Sequence, residues 1–500
     1  MIKKILAYIL IGSLLLTMLS GCGTKKTTTT IPEKDSLVYA IPADPSTFDA
    51  MNVAMASEIL INNNIYSRLV VSDGAGGFKG DLAESWTNDE MSYTFVLKKG
   101  VKFHNGEELK AIDAVFSITA AKESPYMASY SGAIKDAVVI DDYSFVINLL
   151  YPYAPFIASI NQISIENQKA VTDAGKDYGQ NPVGTGPYKF VSHSTGQNVK
   201  LERFDDYFNG AVPIKNVEFR VITDSNTTLA SLKAGEIDIA NDLPEIAMEE
   251  LKKDPKFTLH PFPALHIYYV IMNNSIKPFD NVLVRQAINY AIDKDSLVTA
   301  ALEGNGAKAN TIINEATFGY SAKIKGYEYD VKKAKDLLTQ AGYPNGFEAT
   351  FKTMDGTFKK AAELVQGDLS KIGITLNLEM VEANTYFQDL QSGNYEMGNM
   401  AITLSPDADD WQMVFSSTGG FNLQKYNNPK VDTLFSDARK LLDKNQRLAK
   451  YEELLQILEN DAPIVPLFFP TNYFTAKSDL KFGTIDPNGT IDVTQMEWIK

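Results

Sequence analysis

Apolar residues recur along this chain at two spacings, which predict helices and strands. Between residues 284 and 292 the apolar positions lie three and four residues apart, the spacing of a helix with one buried face. Between 93 and 97 they alternate with polar positions, which predicts a half-buried strand. Similar patterns predict further helices at 56–71, 358–372 and 448–458, and further strands at 37–41, 188–191, 237–240, 374–381 and 464–469. Because helices and strands alternate, the pattern indicates a mixed α/β fold.

The N-terminal segment has the pattern of a secretory signal peptide. A pair of lysines precedes an apolar run at 5–19, and small residues follow it. The run is shorter than the roughly 20 residues that a membrane-spanning helix needs. It leads into Leu-Ser-Gly-Cys, which resembles the bacterial lipoprotein box, and Cys22 is the only cysteine. We therefore predict a signal peptide at 1–21 and lipid attachment at Cys22. The alternative is an ordinary signal peptide followed by an incidental cysteine.

The residues that follow Cys22 are polar, rich in threonine and without periodicity. We predict that 22–35 form a flexible tether, and that the folded part begins near Ser36. Acyl chains hold a protein at a membrane because each buried methylene contributes about 0.8 kcal/mol. The mature protein is therefore expected outside the cytoplasm, tied to a membrane through its lipid.

Composition and charge narrow the range of partners. The chain has 500 residues, of which 44% are hydrophobic, which is ample for a globular core. With 47 basic and 62 acidic residues, its formal net charge is -15. That charge disfavours nucleic acid, which needs a basic surface, and it disfavours electrostatic adhesion to anionic lipid. We expect a soluble, acidic body that is a monomer.

Signatures of catalysis are missing from the sequence. It contains no G-x-S-x-G, H-E-x-x-H, Walker A or G-x-G-x-x-G motif. His260 and His266 are six residues apart and would share a strand face, but Pro261 and Pro263 argue against one continuous paired strand. We therefore expect no enzyme activity, no cofactor and no metal site.

One acidic segment is a candidate for ligand binding. Asp407 and Asp409 lie with a third carboxylate just before Trp411. Three carboxylates within four residues suit a cation or a ligand amine, and an aromatic side chain beside them suits the wall of a cleft. The alternative is a solvated turn with no ligand.

Several motifs, in a fixed order, resemble the family-5 solute-binding proteins of ABC transporters, the group that binds oligopeptides, dipeptides and nickel. The motifs are LAESW at 82–86, YTFVLKKGVKFHNGEEL at 93–109, GTGPYKF at 184–190, LKAGEIDIA at 232–240, VRQAINYAIDKDSLV at 284–298, LSKIGITLNL at 369–378 and APIVPLFF at 462–469. The resemblance covers essentially the whole mature chain. None of these motifs is decisive by itself, but their order is specific.

This resemblance implies a two-lobed fold of the periplasmic-binding-protein type, with a hinge between the lobes, discontinuous domains and an extra subdomain. On that basis the first lobe comprises 36–77, a subdomain at 78–182, a second part at 183–276 and a C-terminal return at 471–500. The second lobe comprises 277–470. None of this topology follows from periodicity.

The resemblance also implies a binding site between the lobes. In peptide-binding members a strand lines the cleft and pairs with the peptide backbone, and here it maps onto Ala401, Ile402, Thr403 and Leu404. The loop Asp44, Pro45, Ser46 and Thr47 of the first lobe would face Trp411. The family's amine-binding aspartate falls at Leu404, so an amine clamp is either moved to Asp407 or Asp409, or absent. No arginine lies between Arg285 and Arg439 to clamp a peptide carboxylate.

The function that the resemblance implies is solute capture for an ABC permease, with peptide as the leading ligand class. Nickel complexes, opine-like compounds and oligosaccharides are alternatives within the same role. A surface hydrolase is an alternative of another class, supported by the acidic segment and opposed by the missing motifs. A signalling or adhesion lipoprotein that has kept the fold and lost transport is a third.

Overall fold

The computed structural model of the chain describes residues 34–499, except for 54, 74–76, 264, 486–488, 490 and 492. The predicted signal peptide, Cys22 and nearly all of the predicted tether therefore lie outside the described residues. Within the described ranges, no helix is both long and apolar enough to cross a bilayer.

The segment 36–263 forms most of the first lobe. Its strands are β1 (Ser36–Ile41), β2 (Val70–Ser72), β3 (Phe78–Gly80), β4 (Ala83–Asn88), β5 (Ser92–Leu97), β6 (Ile134–Asp141), β7 (Ser144–Leu149), β8 (Tyr188–Ser194), β9 (Asn198–Arg203), β10 (Asn216–Val221), β11 (Ile239–Ala240) and β12 (Phe257–Pro263). Its helices are α1 (Ala56–Ile65), α2 (Ala111–Glu123), α3 (Ala128–Ser131), α4 (Phe156–Ile160), α5 (Gln168–Ala174), α6 (Ser225–Ala234) and α7 (Met248–Leu251).

The segment 266–470 forms the second lobe. Its strands are β13 (His266–Met272), β14 (Gly306–Lys308), β15 (Glu348–Thr353), β16 (Thr375–Met380), β17 (Met397–Thr403) and the first part of β18 (Ile464–Lys477). Its helices are α8 (Val282–Ala291), α9 (Lys294–Ala301), α10 (Val331–Gln340), α11 (Thr357–Ser370), α12 (Ala383–Ser392), α13 (Gln412–Phe415), α14 (Pro429–Ala438) and α15 (Lys444–Asp461). The short strands β19 (Leu480–Lys481) and β20 (Glu497–Trp498) follow in the first lobe.

One mixed sheet runs through both lobes in the order β16-β15-β17-β13-β18-β11-β1-β10-β9-β8, with β12 and β14 also paired to β18. The strand β18 is 14 residues long. Its first part pairs with β13 in the second lobe, and its last part pairs with β12 in the first. Because β12 leads directly into β13, two antiparallel stretches of chain cross between the lobes. These crossing strands are the natural hinge.

The buried apolar residues divide between the lobes in the same way. The cores of the first lobe draw on residues 37–262 and 474–496, and those of the second draw on 267–469. The predicted lobe boundary after residue 276 is therefore wrong by about ten residues. It lies between β12 and β13, because β13 pairs along its length with β17 and packs into the cores of the second lobe.

A second, four-stranded sheet in the order β4-β5-β7-β6 lies within the predicted subdomain. The alternation along β5 and β7 buries Phe95, Leu97, Phe145 and Ile147 on one face. These side chains belong to the same apolar cluster as Leu37 and Phe219 of the long sheet. The small sheet therefore shares one core with the rest of the first lobe.

Candidate functional site

The strand β17 has an open backbone edge next to the crossing strands. It pairs with β13 along its whole length, from Met397 to Thr403. On its other side it pairs with β15 only at Met397 and Gly398, and the Tyr386 hydroxyl donates to the carbonyl of Asn399. In the described part of the chain, no strand covers this edge at 400–403. Residues Ala401, Ile402 and Thr403 span this uncovered edge, and the backbone groups of alternate residues among them point outward, where an extended ligand can pair with them.

Aromatic side chains lie beside β17, on its paired neighbour β13 and at the start of α11. His266 and Tyr268 start β13, and their rings meet in an edge-to-face contact at 5.0 Å. The Tyr268 ring also lies 5.1 Å from the ring of Phe358 at the start of α11. His266 Nδ1 hydrogen-bonds the Thr403 hydroxyl at 2.8 Å, and burial lowers the pKa of this histidine. These half-buried rings form an amphipathic wall that the sequence motifs did not indicate. The alternation of His266 and Tyr268 along one strand was a usable signal that both side chains lie on the same face.

The predicted loop Asp44–Thr47 belongs to the first lobe and is held by internal bonds. Asp44 pairs with the imidazole of His193 at 2.9 Å and accepts the backbone N–H of Gly196. Ser46 gives both its N–H and its hydroxyl to Glu58, and Pro45 is buried. The polar side chains of this loop are therefore committed within their own lobe, and the loop is a rigid element rather than a set of free ligand groups.

The acidic segment is the largest departure from the expected site. Asp407 forms a two-pronged ion pair with Arg447, both contacts at 2.7 Å, and both side chains are buried. Asp409 is 3% exposed and pairs with Arg439 at 2.7 Å. The Tyr451 hydroxyl lies within hydrogen-bond distance of Arg447, at 2.9 Å, and of Asp409, at 3.2 Å.

An amine clamp at Asp407 or Asp409 is therefore corrected to an internal ion-pair network. Each carboxylate already has an arginine, and burial, which raises the pKa of Asp409, makes an unpaired charge there costly. The two partners, Arg439 and Arg447, lie at and beyond the end of the arginine-free span that follows Arg285. No local signal joins Asp407 to Arg447, because the two residues lie 40 positions apart in the chain.

Trp411 is corrected from a cleft wall to a core residue. It is 3% exposed, and its indole stacks on Phe415 with ring centres 5.6 Å apart. Both rings belong to an apolar cluster inside the second lobe. Leu404 also packs against that cluster and is half-buried. Trp411 is the last residue of a short 3-10 helix, Ala408–Trp411, in which Ala408 and Asp409 are also buried. A residue count along the chain does not reveal this burial.

Among the described residues, no group of three or more histidine, cysteine, aspartate or glutamate side chains is arranged to hold a metal ion. One cavity of about 30 Å³ lies in the second lobe, lined by Asn289, Thr311, Tyr327 and Pro463 among others. A cavity of that size holds one or two water molecules, so it is no solute site.

Known proteins resemble this chain over most of its length. The model of the bacterial extracellular solute-binding proteins, family 5, matches residues 77–422. Heme-binding protein A of Haemophilus influenzae is 31% identical over 486 residues, covering 89% of this chain and 89% of that protein. The oligopeptide-binding protein AppA of Bacillus subtilis is 28% identical and covers 99% of both. The chain therefore belongs to the family-5 extracellular solute-binding proteins.

Solved structures support the same assignment. HbpA2 from Haemophilus parasuis superposes with a TM-score of 0.86 at 28% identity, covering 93% of this chain and all of that one. The periplasmic binding protein DppA from Helicobacter pylori, in complex with the peptide STSA, superposes with a TM-score of 0.75 at 30% identity, covering 93% and 98%. These likenesses confirm the predicted family and the predicted two-lobed α/β fold.

Proposed function

We propose that this protein is the lipid-anchored receptor of an ABC importer, and that it captures peptides between its lobes and delivers them to the permease. Capture of this kind shifts the population of lobe arrangements and makes no covalent bond. The names of the relatives above describe binding proteins, which supports a role without catalysis.

The open edge of β17 is the observation that carries the peptide proposal. An extended peptide adds to a sheet edge through its backbone, so recognition does not depend on a particular sequence. A backbone-paired ligand also needs no charged clamp at its ends. This fits a second lobe in which Asp407 and Asp409 are already paired and in which Leu404 replaces a carboxylate.

A matched pair of proline substitutions tests the backbone pairing. In an antiparallel strand, the N–H and C=O of successive residues point to opposite sides, so one of Ala401 and Ile402 faces β13 and the other faces the open edge. Ala401→Pro and Ile402→Pro therefore differ in effect. The proline that replaces the residue facing β13 removes a hydrogen bond of the sheet and is expected to destabilise the lobe. The other is expected to leave the melting temperature nearly unchanged and to weaken binding of oligo-alanine peptides.

Native mass spectrometry of the mature protein, purified without refolding and then denatured, identifies what it carries. A ladder of peptides is the expected result. Recovery of one defined metal complex, opine or sugar, with no binding of oligo-alanine peptides, would contradict the peptide proposal and leave the receptor role intact.

Heme is a second candidate ligand, favoured by the aromatic wall and by one relative's name. Histidine is a common ligand of heme iron, and His266 lies beside Tyr268 on β13 with one ring nitrogen bonded to the hydroxyl of Thr403. Titration with hemin, followed by the Soret band, tests this candidate. His266→Ala is expected to abolish a shifted band if the iron binds there.

Lipid attachment at Cys22 is tested separately. The unmodified protein is expected in the membrane fraction, and a diacylglycerol should increase the mass of its N-terminal peptide. Cys22→Ser is expected to move the protein to the soluble fraction. Continued tight membrane association of that variant would refute attachment through this cysteine.

A further inference from the structure

The two lobes also touch away from the crossing strands, at the loop between β7 and α4. The backbone N–H of Ala154 in this loop donates a hydrogen bond to the backbone carbonyl of Arg439, 2.6 Å away. Arg439 directly follows α14 of the second lobe. Its guanidinium lies 5.9 Å from the centre of the Tyr153 ring, within the range of a cation–π contact. Two contacts thus join segments of different lobes.

Both sides of this contact are held firmly within their own lobe. Arg439 is fixed by its ion pair with Asp409, which in turn accepts the Tyr451 hydroxyl. Tyr153 packs against the core of the first lobe, and its hydroxyl lies 3.5 Å from that of Ser159. The acceptor is the carbonyl that ends α14, where the helix dipole places partial negative charge and attracts a donor.

The electrostatic surroundings couple the same two surfaces. Burial raises the pKa of Tyr153, and the negative charges of Asp409 and Asp410 raise it further. Nearby in the first lobe, burial and the charge of Asp410 also raise the pKa of Tyr130. These phenols therefore stay neutral, and they lie near the acidic segment of the second lobe across the lobe interface.

We propose that Tyr153, Ala154 and Arg439 form a clasp that holds the lobes together before any solute binds. Rotation about the crossing strands carries Ala154 with the first lobe and Arg439 with the second, so separating the lobes breaks the clasp. The apparent dissociation constant of a ligand equals its intrinsic value divided by the populated fraction of the binding-competent arrangement. The clasp therefore changes the apparent affinity for solute by changing this populated fraction, and it does so without contacting the solute. This inference rests on the receptor role and is independent of the solute's identity.

Distance measurements on the ligand-free protein test the clasp directly. Cys22→Ser removes the only cysteine, so Lys135→Cys in the first lobe and Lys444→Cys in the second can carry the only two spin labels. Both lysines are exposed. Pulsed electron paramagnetic resonance is expected to give one main distance in this labelled parent. If the labelled parent shows two or more widely separated distances between the spin labels, with none predominant, the proposal is overturned without any further variant.

Two clasp variants and one control complete the test. Ala154→Pro removes the donated N–H, and Tyr153→Leu removes the ring but keeps an apolar side chain in its place. A hydrogen bond of this kind is worth roughly a two- to tenfold change in an equilibrium. Each folded variant should therefore gain a longer-distance population by about that factor. Leu150→Ala removes an exposed side chain on the same loop and is expected to leave the distances unchanged. Unchanged distances in Tyr153→Leu, with its melting temperature retained, would overturn the clasp.

Discussion

Glu166 is a buried carboxyl whose protonation should control stability across the neutral pH range. It is 1% exposed in the core of the first lobe, and its Oε1 accepts the backbone N–H of Ala50 at 2.9 Å. Burial raises the pKa of Glu166 to about 8, and the nearby charge of Asp49 adds to the effect. At neutral pH this glutamate is therefore mainly a neutral acid in the folded protein.

The pH dependence of stability follows from the difference between the pKa of Glu166 in the folded protein and its pKa in the unfolded chain. In the unfolded chain Glu166 titrates near its ordinary pKa of 4.5, so between pH 4.5 and 8 the folded state holds a proton that the unfolded state has lost. Stability must then fall as pH rises through this window, by about 1.4 kcal/mol per pH unit. From pH 5 to pH 8 the expected loss is roughly 4 kcal/mol.

Glu166→Gln isolates this contribution, because glutamine keeps the shape and the acceptor but does not titrate. Urea unfolding, followed by circular dichroism at pH 5, 6, 7 and 8, gives the free energy of unfolding of each form. The gap between parent and variant should shift in favour of the variant by roughly 4 kcal/mol over this range. Other titrating groups cancel in that difference. The exposed Glu84→Gln is the matched control. Parallel curves for parent and Glu166→Gln would refute the argument.

Three further predictions follow from the corrected site and from a buried lysine. Trp411→Ala should cost about 3–5 kcal/mol of unfolding free energy, since it empties a core position beside Phe415, and leave peptide affinity unchanged. If this variant instead lost peptide affinity at unchanged stability, Trp411 would be a residue of the solute site and not of the core. Arg447→Ala should lower the unfolding free energy by about 3–5 kcal/mol, because it leaves the buried charge of Asp407 unpaired. The double variant with Asp407→Ala should recover part of this loss in a double-mutant cycle. An additive double variant would show that the pair does not interact. Burial lowers the pKa of Lys294 to about 7, so stability should rise between pH 7 and 10.5. Lys294→Met should lose that rise, and a variant that keeps it would contradict the assignment.

Local periodicity predicted the regular elements well where one face is buried. Val284, Ala287, Ile288 and Ala291 are buried along α8 as their spacing indicates. Asp330 caps α10 through the N–H of Lys333, as a capping residue before a helix should. The predicted helix at 56–71 is wrong in its second half, because α1 ends at Ile65 and β2 begins at Val70. A short apolar run fits a buried strand as well as a helix, so spacing cannot decide between them.

The candidate site was likewise predictable from the sequence only in part. Ala401, Ile402 and Thr403 were expected on a strand through the family resemblance, and they do lie on β17, but its open edge depends on where β15 stops pairing. The charges at 407 and 409 were visible in the sequence, whereas their neutralisation by arginines 30 and 40 residues away was not. Whether a carboxylate is free or paired depends on residues brought close only by folding.

Local sequence accounts for the periodic faces, the acidic and cysteine-poor composition, and the order of motifs that identifies the family. These follow from chemistry within a few residues of each position. Packing of the whole chain sets the lobe boundary between β12 and β13, the burial of Trp411, the arginine partners of the acidic segment and the contact between Ala154 and Arg439. Each of these depends on a partner distant in the chain, and many distant partners are compatible with the same local pattern until the whole core is packed.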